Sequence, residues 1–270
     1  MQGTIEHYIE GKYDDQTLCE DGLFISEECV AVIDGVTSQT GYQFQGMYGG
    51  CFAKNLILEC LRTMDVSKYE AVEFFEKINQ VIGEKTKELY PNLGFAKYPK
   101  AVMILFNKKK GEIWNYGDCQ CMVDGMILTK SKKIDVLHSE LRSVVLEDEI
   151  RKGKSVEELL QNDIGHAVIK NSLKHQYLLA NTKNEYGYPV LNGYSFEPDY
   201  VKTYQVHFGQ EIVLASDGYP KVFRSLDESE KYLQYIMKTD PLCFRVYKST
   251  KGIGQGRNSF DDRTYWRGVI

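Results

Sequence analysis

The chain is poor in the residues on which the commonest site chemistries are built. Five histidines are spread over 270 residues, at positions 7, 138, 166, 175 and 207, and no two stand at the spacing of shared metal ligands. The seven cysteines include no CxxC pair, and Cys119 and Cys121 lie two apart, which puts both on one face of a strand rather than in a zinc knuckle. Other cysteines sit inside apolar runs as small hydrophobes, so the expectation is a reduced, cytoplasmic protein. No stretch approaches the roughly 20 apolar residues that cross a bilayer. The first dozen residues, with Glu6, Glu10 and Lys12, lack the apolar core of a secretory leader, so no membrane association is expected. Basic excess is missing too. A formal net charge of -5 argues against a nucleic-acid partner, and the one dense basic run, residues 108–110 before Gly111, reads as a solvated hairpin turn. Gly252-Ile253-Gly254-Gln255-Gly256 has the composition of a phosphate-cradling loop but lacks its Lys-Ser/Thr, and is read as the loop that delivers Asp261.

What is present is ordinary globular material, 43% hydrophobic and 26% charged, with no repeat and no linker, which is read as a single domain over residues 1–270. Apolar residues at three- and four-residue steps predict a helix after Gly49-Gly50 and another over about 69–89. Capping boxes, Ser155 with Glu158 and Ser225 with Glu228, predict two more helix starts. Short β-type runs fall at 29–33, 101–106, 111–116, 121–123, 126–128, 204–208, 210–215 and 263–269, with turn signals at Lys110-Gly111, Asp124-Gly125 and Phe208-Gly209. Clustered hairpins separated by helices indicate an α+β protein. Residues 130–200 are hardest to read: one helix, then a Tyr/Asn/Gly/Pro-rich stretch over 181–198 that is a candidate substrate surface.

Acidic residues stand where buried strands stop. Val30 to Ile33 runs into Asp34-Gly35, Ile212 to Ala215 into Ser216-Asp217-Gly218, Asp261-Asp262 precedes the last strand, and Glu20-Asp21 precedes Leu23-Phe24-Ile25. Carboxylates at neighbouring strand ends converge and repel, so they call for a cation. Oxygen donors without His or Cys select Mg2+ or Mn2+ over zinc. Taken singly, each Asp-Gly is a turn dipeptide, and Asp124-Gly125 is read as one.

In order, Glu20-Asp21, Ala31-Val32-Ile33-Asp34-Gly35, Gly117-Asp118, Ala215-Ser216-Asp217-Gly218 and Asp261-Asp262-Arg263-Thr264 resemble the motifs of the metal-dependent serine/threonine phosphatases of the type 2C (PPM) class. The resemblance runs from about residue 11 to the C-terminus. It implies a four-layer αββα sandwich, two antiparallel sheets flanked by helices, with a two-ion Mn2+ or Mg2+ site at one end. By resemblance, Asp34 bridges the two ions, the Gly35 carbonyl binds one of them, and Asp217 and Asp261 complete the set. Glu20 and Asp21 orient water behind them, and Asp118 marks a third, weaker ion site. The implied activity is hydrolysis of phosphoserine and phosphothreonine in proteins, by a monomer.

Four positions depart from that pattern. Gln16 stands where many members carry a phosphate-binding Arg, for which Lys12 is a candidate replacement although its offset differs, and Lys221 where a further Asp is usual. Val36-Thr37-Ser38 replaces the His-Gly or Met-Gly-Gly that follows the first Asp-Gly, and Asp262 replaces the commoner Asn. These departures keep two alternatives open: a weak or inactive pseudophosphatase that acts as a binding module, or a phosphomonoesterase for small molecules.

Overall fold

The computed structural model describes residues 3–38, 40–254 and 256–270. Twelve strands are assigned among them: β1 (Thr4–Glu10), β2 (Asp21–Ile25), β3 (Cys29–Gly35), β4 (Gln43–Phe44), β5 (Met47–Tyr48), β6 (Ala101–Asn107), β7 (Glu112–Tyr116), β8 (Gln120–Val123), β9 (Met126–Ile127), β10 (Lys202–Gln205), β11 (Glu211–Ala215) and β12 (Arg263–Val269). Six α-helices are interspersed: α1 (Gly49–Thr63), α2 (Ala71–Leu89), α3 (Lys133–Arg151), α4 (Val156–Gln161), α5 (Ile164–His175) and α6 (Leu226–Thr239). The strands form two five-stranded antiparallel sheets, ordered β1-β12-β11-β8-β9 and β10-β7-β6-β3-β2, with β4-β5 as a separate hairpin.

The central strands read as continuous apolar runs because both of their faces are covered. On β3, Val30 and Val32 face the other sheet, packing with Ile104, Ile212, Leu214 and Trp266. Its alternate residues, Ala31 and Ile33, pack against Ala53 and Ile57 of α1 and Phe75 and Ile78 of α2. On β11, Val213 and Ala215 face outward beside Tyr219, Val222 and Leu226, where α6 begins. The layers are therefore helix, sheet, sheet, helix, the α+β sandwich that the motifs implied. Trp114, Phe74 and Phe75 are fully buried and anchor the α2 side, at about 1.5–3 kcal/mol for each large apolar side chain taken out of water.

Three local readings are corrected. Residues 130–200 hold three helices, α3 to α5, rather than one. The apolar positions of α3 are not confined to one stripe, since Val136, Leu137, Leu141 and Val144 remain exposed, and so no helical period stands out. Phe208-Gly209 is not a hairpin turn. The strand before it, β10, pairs with β7, while β11 pairs with β12 and β8, so the connection crosses between sheets. The glycines after the strand-end aspartates do not serve a left-handed turn, because neither Gly35 nor Gly218 has a positive φ. They permit contact: a Cβ on Gly35 would stand 2.5 Å from the Gly50 carbonyl oxygen, and one on Gly218 would stand 1.9 Å from that of Asp262.

Residues 181–198 are irregular, as expected, but most of the segment is folded back onto α2. Asn79 accepts from the backbone N–H of Asn192 and Gly193, and Asn181 is bound to Tyr116, Val190 and Ser195. Only Tyr188 and Val190 of that stretch reach the main cleft.

Candidate metal and phosphate site

Asp21 and Asp34 are direct cross-strand partners at the end of the β2–β3 ladder. Two like charges placed opposite each other are destabilising unless something neutralises them. Asp34 continues the Val30–Val32 face, so it points between the sheets. There it meets Asp217, which follows β11, and Asp261, which precedes β12; Ser216 N–H donates to the Thr264 carbonyl and Thr264 N–H to the Ser216 hydroxyl, which holds those two strand ends together.

The acids form two rows. Asp34, Asp217 and Asp261 are partly exposed and line a cleft of about 460 Å3, together with Gly35 and Asp118. Glu20, Asp21 and Asp262 are each 3% exposed and lie behind them. Burial, followed by the charge of Asp217, Asp21 and Asp118, raises Asp34 well above the carboxylate range. Asp217 is pushed up to about 7 by burial and by Asp118 and Asp261, against Lys132 and Lys251. Asp21 is raised well above its usual value by burial, against hydrogen bonds from Ser216 and Thr264.

Three lysines enter this cluster. Lys12, which follows β1, places its ammonium 2.9 Å from Asp261 Oδ1, 3.1 Å from Asp262 Oδ2 and 3.5 Å from Glu20 Oε2. Lys251 holds the other Asp261 oxygen, and Lys132 stands 3.0 Å from Asp118 Oδ2. Burial acts to raise Asp261, but the ammoniums of Lys251 and Lys12 outweigh it and hold that carboxyl far below the usual range. Of these, the sequence suggested only Lys12, as a replacement for the arginine at position 16; Lys132 and Lys251 were not marked, because they lie outside the strands and reach the acids only through the topology.

The departures from the motif now have positions. Gln16 is turned away from the cleft and clamps the preceding loop, accepting from Gly11 N–H and donating to the Tyr13 carbonyl. Lys221 is exposed, its ammonium 4.8 Å from the Phe223 ring centre. Thr37 donates to Glu20 Oε2 and accepts from Lys12. The extra negative charge of Asp262 is matched by Lys12, whose backbone N–H also donates to Asp262 Oδ1 at 2.8 Å. Of the histidines, His166 lines the cleft and is tied to the Thr250 carbonyl, while buried His138 is bonded to Ser172. The seven cysteines are free and buried. Gln255, within the glycine-rich run before Asp261, lies outside the described residues.

The oxygen-only donor set suits a hard divalent ion. Buried Glu20 Oε1 has no hydrogen-bond partner, and it and the Gly35 carbonyl oxygen lie 2.5 and 2.7 Å from where a Gly50 Cβ would stand. Two oxygens thus face one methyl-free surface. Among the described residues no three acidic, His or Cys side chains close tightly around a single point. Such an arrangement fits an ion that keeps most of its water and takes only one or two carboxylates.

No family sequence model and no curated protein matches the chain. Solved structures do match. The catalytic domain of the serine/threonine phosphatase PstP, in complex with two manganese ions, superposes with a TM-score of 0.53 at 12% identity over all of both chains. The fold is that of the serine/threonine phosphatases. A structure of the Mycobacterium tuberculosis phosphatase PstP/Ppp gives 0.51 at 16% identity over 99% of each chain, and Staphylococcus aureus Stp1 gives 0.50 at 14% over 98% of this chain and 94% of that one. On this phosphatase fold the acid cluster lies where strand ends from both sheets meet.

Proposed function

We propose that the chain is a type 2C phosphatase, one catalytic domain that hydrolyses phosphoserine and phosphothreonine in proteins with Mn2+ or Mg2+ as cofactor. The observation that carries this reading is the meeting of Asp34, Asp217 and Asp261 at one cleft of a phosphatase fold, with Asp21 buried behind them and more carboxylate charge than the lysines balance. Asp34, Asp217, Asp261 and the Gly35 carbonyl are the groups that would hold divalent ions, with Asp118 as a further, weaker ligand. When bound, such an ion supplies a Lewis acid for a phosphoryl oxygen and acidifies water. Glu20 and Asp21 lie behind and orient water by accepting its hydrogen bonds. On the cleft wall, Lys100, Lys130 and Lys174 draw in a phosphate dianion that bare acids would repel. A cysteine nucleophile does not fit: burial, followed by the charge of Asp34, raises the Cys119 thiol well above its usual value, and Cys19 is pushed up to about 12.

A monomeric, cytoplasmic enzyme with a phosphoprotein substrate is part of the same proposal; among the described residues no helix is long and apolar enough to cross a membrane. The test is hydrolysis of a phosphothreonine peptide and of an aryl phosphate with Mn2+. Asp34→Asn or Asp217→Asn is expected to lower the rate about a thousandfold, equivalent to about 4 kcal/mol of barrier. Activity that survives both substitutions, or thorough chelation, overturns the proposal. Turnover of the aryl phosphate and small phosphomonoesters without the peptide redirects it to a small-molecule substrate.

A binding module is the second reading, favoured by the engagement of both Asp261 oxygens by lysines and by Gln16 at the arginine position. It is distinguished by phosphopeptide binding without turnover at saturating Mn2+.

A further inference from the structure

The two oxygens of Asp261 each carry an ammonium, and the Lys12 ammonium lies within 3.5 Å of three carboxylates on residues 20, 261 and 262. It is not a surface side chain swung inward. Only 4% of it is exposed, and its backbone is fixed on both sides: Lys12 N–H donates to Asp262 Oδ1, and its carbonyl accepts from Asn258 N–H at 3.0 Å. The Gln16 clamp on Gly11 fixes the approach of the chain. Removing the ammonium from this position would leave Glu20 and Asp262 as buried, unpaired charges, a cost of several kcal/mol.

Charge is distributed unevenly across the centre. On the Lys12 side, the carboxylates of Glu20, Asp261 and Asp262 face the ammoniums of Lys12 and Lys251. Around Asp34 and Asp217, together with Asp118, the ammonium in ion-pair contact among the described residues is that of Lys132, with Lys251 acting on Asp217 from its place on Asp261. Asp21, behind them, accepts from the Thr264 hydroxyl at 2.9 Å. One divalent ion at Asp34 and Asp217 would offset the excess there, whereas an ion drawn to Asp261 must first displace a lysine.

We infer that Lys12 is a resident cation of this centre, standing in for one of the divalent ions, so that the chain binds one such ion rather than two. The inference rests on the phosphatase reading of the acid cluster and concerns how that cluster is neutralised. In it, the loss of the arginine at position 16, the gain of Asp262 and the inward lysine are one change: a mobile divalent charge exchanged for a tethered monovalent one.

Ion counting tests it without reference to turnover. Isothermal titration of the full chain with Mn2+ is expected to give one ion per wild-type chain, and its electron paramagnetic resonance spectrum to be that of an isolated Mn2+. Lys12→Ala is expected to gain a second ion and the spectrum of an exchange-coupled pair, while Lys12→Arg, which keeps the charge, stays at one. If Lys12→Ala does not fold, the double variant Lys12→Ala/Asp262→Asn, which also removes the stranded carboxylate, is used for the same count. Two ions in the wild type, or one in both the wild type and the charge-deleted variant, overturn the inference and leave the phosphatase reading standing. No Mn2+ bound by the wild type overturns that reading itself.

Discussion

Two buried charged centres lie close together in this molecule, and they are built on opposite principles. Around Arg142, whose side chain is fully buried, every donor is used: Nε and Nη2 bind Asp163, Nη2 also reaches the Leu242 carbonyl, and Nη1 takes those of Cys243 and Ser249. Five N–H groups make five hydrogen bonds. Nearby, Asp240 Oδ2 accepts from four successive backbone N–H groups, residues 244 to 247. The cluster at the cleft is the reverse. Acids outnumber cations, burial and then neighbouring carboxylates raise Asp34 and Asp217, and Glu20 Oε1 and Asp118 Oδ1 have no hydrogen-bond partner. A buried charge whose hydrogen-bonding capacity is filled shapes the chain, and here it sets the loop that leads to Lys251. A buried charge left in deficit is available for a ligand, and the strain it imposes is carried by the rest of the fold.

That contrast can be broken at its structural end first. Arg142→Met should cost about 3 kcal/mol or more in urea unfolding, because it strands Asp163 and three buried carbonyls. A loss below about 1 kcal/mol would mean that the Arg142 centre is not the scaffold described.

The deficit centre should respond in the opposite direction once ions are removed. In chelator, Asp217 has a folded pKa of about 7 against about 3.9 for an unfolded aspartate, so the folded state holds the extra proton between those values. Its contribution to stability is fully present below pH ~4 and is lost as pH rises through about 7. Burial moves Asp34 and Asp21 in the same direction, while Asp261, held low, contributes the opposite sign at more acid pH. The melting temperature of the ion-free protein should therefore fall from pH 5 to pH 8, and Asp217→Asn should flatten the fall. A melting temperature that climbs over that range in chelator contradicts the assignment.

The smallest effect is expected at the rim of the scaffold centre. Arg245 and Glu147 form a bidentate pair that is about half exposed on both sides, and water screens it. Arg245→Ala should change unfolding stability by no more than about 0.5 kcal/mol, well below Arg142→Met. A comparable loss at both sites would remove the distinction between filled and solvent-shared charge.

Legibility followed how local each signal was. Asp34 and Asp217 could be found because each stands where a continuous apolar run stops, and α1, α2 and α6 because periodicity or a capping Ser marks them. The layer order needed the motif resemblance, since hairpins and helices alone are compatible with several packings. The lysines were legible only in part. Lys12 stands near enough to position 16 to be a candidate replacement for the arginine, though at a different offset. Lys132 and Lys251 carry no local pattern that separates them from solvated lysines; what draws all three in is the acid cluster itself, assembled from distant strands. The helix α3 was missed for a related reason: its buried residues, His138, Ser139, Arg142, Ser143 and Leu146, are mostly polar, so its inward face does not look hydrophobic.

The bond from Lys12 N–H to Asp262 spans 250 residues, and β1 finds its ladder partner only in β12. A growing chain therefore carries Glu20, Asp21 and Asp34 before β12, the strand that completes their surroundings, has been made. Closure of so long a loop is slow relative to local hairpin and helix formation. The acid-cluster end of the sandwich should be the last part to become native, and its maturation, unlike that of the α1–α2 face, should be the step that bound divalent ions accelerate or hold in place.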